Sequence, residues 1–80
     1  MTTETQVVWA NNFLTEEQKT AINGYVAQMV SQGATDGVAT IVNVDESSFK
    51  VTRHWTTVND ATSWITFIAG YNPISAEIIE

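Results

Sequence analysis

The chain has no cysteine, one proline, one histidine and only three basic residues among its 80. Each shortage removes an explanation. Without cysteine, neither disulfides nor a thiolate metal site can supplement the core. A solitary His54 cannot make a zinc site, which needs several nitrogen or sulfur ligands. Lys19, Lys50 and Arg53 stand against nine acids, giving a net charge of −6. Nucleic-acid binding needs clustered cations, so it is excluded as a function. The acids are scattered, so no dense carboxylate array imitates DNA either. No apolar run approaches the roughly 20 residues of a spanning helix. The N-terminal MTTETQ also lacks the basic-then-apolar pattern of a secretory signal. The expectation is a soluble, cytoplasmic protein with no cofactor, no metal, no nucleic acid and no membrane partner.

A chain of this length buries only about 60–65% of its unfolded surface. Its core must therefore be rich in large side chains or completed by a partner. Three Trp, two Tyr and three Phe suit either solution.

Periodicity sets out the elements. Residues 1–5 read as a flexible lead and residues 6–80 as a single domain. Gln6 to Ala10 is a short β-rich run. Thr15-Glu16-Glu17-Gln18 matches a capping box, with both Glu favourably placed near a helix N-terminus. Ile22, Tyr25, Val26, Met29 and Val30 then recur on one helical face, with Lys19, Asn23 and Gln28 away from it. Gly24 inside this helix suggests close packing, and Gly33 suits its end. Val38 to Val44 and Phe49 to Val58 are β-branched runs joined by the turn Asp45 to Ser48, an antiparallel hairpin. Asn59 or Asp60 can cap a second helix whose stripe is Ala61, Trp64, Ile65 and Ile68, widened by Phe67. Gly70 and Asn72-Pro73 end it, and Ile74 to Glu80 can close as a last strand.

The order β-α-β-β-α-β at this length implies an α+β, ferredoxin-like sandwich: a four-stranded antiparallel sheet with two helices on one face. Alternation puts Phe49, Val51, Arg53, Trp55 and Thr57 on one side of the third strand and Lys50, Thr52, His54, Thr56 and Val58 on the other. Neither partition of the strands is wholly polar. A sheet covered on both sides follows, with helices on one and a second subunit on the other, so a homo-oligomer, a dimer or larger, is expected.

This order and two-sided sheet resemble the dimeric α+β barrel superfamily, including small monooxygenases of the antibiotic-biosynthesis type, in which two ferredoxin-like subunits pack sheet to sheet. Haem-degrading members use an Asn on the first strand, a Trp on the sheet and a His on the second helix. Asn11 and Trp55 match the first two, but ATSWITFIAG has no His, so haem chemistry is not implied. The text VTRHWTTVNDATSWITFI also resembles small proteins of tailed bacteriophages, through Arg53, Trp55, Ala61, Trp64 and Ile65. That likeness implies a phage-encoded protein acting in the host cytoplasm.

The candidate binding or assembly surface is Trp9, Asn11, Arg53 and Trp55. Arg53 and Trp55, two apart on one strand face, can clamp an anionic or planar group through charge and cation–π contact. The plainer account is an Arg stem packed over an aromatic, its guanidinium reaching a carboxylate or solvent. His54 lacks the positioned partners of a catalytic set and reads as a cross-strand or solvent-facing residue. No catalytic residue is assigned. The leading expectation is a non-enzymatic, homo-oligomeric binding protein, host-directed as an inhibitor or ligand-sequestering agent, its partner a host protein or small ligand. The alternative is a cofactor-independent enzyme of the dimeric barrel type, monooxygenase- or isomerase-like, working on a small hydrophobic molecule in a cavity lined by Trp55, Asn11 and His54.

Overall fold

A computed structural model describes residues 2–80. The elements follow one another as β1 (Thr3–Ala10), α1 (Glu16–Ser31), β2 (Thr40–Asn43), β3 (Ser48–Trp55), α2 (Val58–Ile68), a 3-10 turn (Ala69–Tyr71) and β4 (Ser75–Ile79). The strands form one sheet in the order β2-β3-β1-β4, every neighbouring pair antiparallel. This is the ferredoxin-like α+β arrangement the element order implies. No helix among the described residues is long and apolar enough to cross a membrane.

The helix starts are built by side chains. Thr15 accepts from the Gln18 amide while the Gln18 side chain accepts from the Thr15 amide, the capping box legible in the sequence. For α2 the cap is Thr57, which accepts from the Asp60 amide, rather than Asn59 or Asp60. The helix starts earlier because β3 stops at Trp55 instead of running to Val58. Gly33 ends α1 in the left-handed region at φ 76°, where a Cβ is unfavourable. Gly24, by contrast, has open space around it, so close packing does not explain it.

The first strand also starts earlier than its β propensity suggests. Thr3 and Thr5 are buried strand residues rather than part of a flexible lead. They lie opposite Trp55 and Arg53, and the Trp55 indole N–H donates to Thr5 Oγ1 at 3.0 Å. Met1 lies outside the described residues.

The core comprises Val7, Trp9, Val51 and Trp55 from the sheet, Ile22 and Val26 from α1, and Ala61, Trp64 and Ile68 from α2. The helices therefore cover the face bearing Thr3, Thr5, Val7, Trp9, Val51, Arg53 and Trp55. Trp9, Arg53 and Trp55, expected at a binding or assembly surface, are instead buried on the helix-covered face. They share one side of their strands, as alternation predicts, and that side is the one beneath the helices. The uncovered face carries Glu4, Gln6, Lys50, Thr52, His54 and Glu77, with Val8, Val42 and Ile79 among them. It is mostly polar, and packing two such faces together would remove little apolar surface from water.

The helices meet each other through aromatic side chains. Tyr25 stacks on Phe67 with ring centroids 4.2 Å apart and tilts against Trp64 at 5.9 Å. Trp64 in turn stacks on Trp55 at 5.5 Å. α1 thus packs over α2 and the middle of the sheet. It leaves β2, exposed along its whole length, without cover.

Candidate functional site: a cleft between the first helix and the sheet

That offset opens a cleft of about 450 Å³ between the N-terminal half of α1 and strands β2 and β3, within the size range of small-molecule sites. Trp9, Phe49, Trp64, Ile41, Leu14 and Val51 give it an apolar wall, and Asn11, Asn23, Asn43, Lys19 and Arg53 supply its polar groups. Trp9 and Phe49 pair at 6.3 Å between ring centroids. The Trp9 indole N–H is tied to the Tyr71 carbonyl at 3.3 Å.

Arg53 is the unusual member. It is only 8% exposed, and its guanidinium carbon sits 5.3 Å from the Trp64 ring centroid. Among the described residues no carboxylate forms a salt bridge with it, and its Nε has no hydrogen-bond partner. The Trp64 Nε1, on the residue beneath it, is likewise buried and unpartnered. Buried polar atoms are normally satisfied, and exceptions call for a reason. Desolvation pulls the Arg53 pKa below its ordinary value, and Asp36, the acid that acts on it, only partly offsets this. The guanidinium stays charged all the same, since arginine does not give up its proton in proteins. It is the guanidinium rather than the stem that lies over the aromatic ring, and among the described residues this charged head forms no salt bridge and sits in the wall of the cleft.

Lys19 is the second cation of the cleft. It is exposed and paired only loosely with Glu16, at 3.4 Å one turn away. Such surface pairs contribute little and leave its ammonium free to approach a ligand. Asn11 is positioned by the β2–β3 turn: its backbone N–H donates to the Ser47 carbonyl at 2.8 Å and its Nδ2 to the Glu46 carbonyl at 3.0 Å.

Of the four residues singled out from the sequence, Trp9, Asn11 and Arg53 come together in this cleft. Trp55 does not. It is fully buried behind them, with an exposure of 0%. His54 points to the opposite sheet face, where its Nε2 lies 3.2 Å from Glu4 Oε1 across the strand pair. The cavity expected to hold Trp55, Asn11 and His54 therefore contains only Asn11. Lys19, Asn23, Asn43, Phe49 and Trp64 are site residues that sequence reasoning did not gather. A signal existed for two of them: Lys19 and Asn23 are four apart on one side of α1, and Lys19 is one of three cations in the chain.

Among the described residues no cluster of His, Cys, Asp or Glu is arranged to hold a metal ion. The sequence matches no protein-family model, and a search of curated proteins finds no similar sequence.

Proposed function

We propose that this chain is a non-enzymatic binding protein that sequesters a small organic anion in the helix–sheet cleft. The observation that carries the reading is Arg53, a buried cation in the wall of an apolar cleft that forms no salt bridge among the described residues and is only partly compensated by Asp36. An isolated buried charge is costly, and a ligand carboxylate or similar oxyanion would offset that cost while the apolar body meets Trp9, Phe49 and Leu14. The lining supplies cations and amides but no His, carboxylate or thiol to move a proton, which favours binding over turnover. The likeness of the Arg53–Ile65 segment to phage proteins suggests a setting, the host cytoplasm, with a host metabolite as the ligand.

The test is titration with benzoate, indole-3-acetate and hexanoate alongside their neutral amides, followed by Trp fluorescence and calorimetry. Acids should bind about tenfold or more tightly than amides, and Arg53→Met should abolish the difference. Equal binding of acid and amide, or no saturation by any acid up to about 10 mM, would defeat the reading.

A further inference from the structure

The two edges of the sheet are open and apolar, and they differ in charge: β4 has only acids around it, whereas β2 has cations beside it as well as the flanking Asp36, Asp45 and Glu46. Along β2, Ile41 is 64% exposed and Val42 50%. Along β4, Ile78 is 36% exposed and Ile79 39%. Neither strand contains proline or lysine, the residues that commonly protect a sheet edge from pairing. All three basic residues of the chain gather around β2. Lys50 lies directly opposite Val42, and Lys19 and Arg53 line the cleft that Ile41 borders. Around β4 the charges are acidic: Glu77 within it, Glu80 just beyond it, and Glu4 opposite Ile79 on the neighbouring strand.

We infer that copies of this chain associate edge to edge, β4 of one against β2 of the next, continuing the sheet from subunit to subunit. Strand direction permits it. Because every neighbouring pair is antiparallel, β2 and β4 run in opposite senses. A second copy with its helices on the same side therefore pairs antiparallel across the new junction.

Register follows from side-chain facing. Ile78 lies opposite Thr5 and Ile41 opposite Val51, so both belong to the helix-bearing face. Setting them opposite each other places Glu77 of one copy opposite Val42 of the next on the other face. Lys50 is then one strand further in, about 10 Å from Glu77 between backbones and within the combined reach of the two side chains. The row reads Glu77, Val42, Lys50 across the junction, while isoleucine meets isoleucine on the opposite face.

The competing closed dimers are less favourable. Pairing β4 with β4 brings the Glu77 carboxylates of both copies together, and like charges facing each other across strands are destabilising; pairing β2 with β2 leaves each Lys50 without the Glu77 that the β4–β2 junction supplies. An interface between two different edges is heterologous and yields a ring or an open chain rather than a closed pair.

Sedimentation velocity and light scattering of the full chain, across concentration and salt, test this. Mass should rise past two protomers with concentration and fall as salt screens the junction. Glu77→Lys and Lys50→Glu should each weaken association about tenfold, and the double variant carrying both should recover it. That recovery also shows that neither reversal acts by unfolding the chain. A monomer at all concentrations, a closed dimer indifferent to both reversals, or a double variant that stays weak would each overturn the inference.

Discussion

The Trp55 indole N–H and the Thr5 hydroxyl meet at 3.0 Å, both residues being fully enclosed. This cross-strand bond supplies the acceptor for the Trp55 indole N–H within the aromatic stack. Thr5→Val keeps the shape but leaves the indole N–H without an acceptor, and should destabilise by about 1–3 kcal/mol. Thr5→Ser retains the acceptor and should cost less. Urea unfolding of the three proteins checks the order.

Gly24 sits within α1 on an exposed face with nothing near the position a Cβ would take. Gly24→Ala should stabilise by roughly 0.5–1 kcal/mol, seen as a higher denaturation midpoint with unchanged slope. A loss of stability would mean that the open space around Gly24 is filled in solution.

Arg53 sets binding against folding. Arg53→Met removes a desolvated cation that has no salt bridge and keeps a long apolar side chain at the site, so the variant should be more stable by about 1 kcal/mol. The same change should lose affinity for organic acids. A less stable variant would show that the attraction of Asp36 and the contact with Trp64 outweigh the desolvation of the guanidinium.

The hairpin turn carries a pH signature. Asp45 Oδ1 accepts from the Ser47 amide at 2.7 Å, the Ser47 hydroxyl at 2.9 Å and the Ser48 hydroxyl at 3.0 Å. The Ser47 amide is the leading cause holding its carboxyl below the ordinary value of 3.8, followed by the two hydroxyls. A depressed folded-state pKa contributes stability that is present above the unfolded value and is lost as pH falls through the folded one. The advantage of the wild type over Asp45→Ala should therefore hold at neutral pH and fade below about pH 4. Carboxyl NMR titration gives the pKa directly, and an advantage independent of pH would exclude the carboxylate as its source.

Much of this architecture is legible in the residues. Alternation in Phe49 to Trp55 and the stripe Ile22, Val26, Met29 give a strand and a helix without ambiguity, and Thr15 with Gln18 marks the helix start. Which sheet face the helices cover is not legible, because alternation sorts residues into two sets without naming the inner one. Arg53 made the choice harder, since a charge normally marks an outer face, and here it lies beneath a helix. Trp9, Asn11 and Arg53 were recognisable as recognition-capable side chains. The cleft that unites them depends on where α1 sits, and Tyr25, Phe67 and Trp64 fix that through a tertiary stack that no local pattern encodes.

The strand that borders the cleft is attached on one side only. β2 takes its ladder from β3, is exposed throughout and receives no helix, whereas β1 is held by strands on both flanks. In the unassociated protomer its amides should exchange with solvent at a cost well below that of global unfolding. The rim beside Arg53 can then part from the sheet while the stack of Trp55, Trp64 and Tyr25 stays intact, so that access to the cleft and rigidity of the core are set by different parts of the molecule.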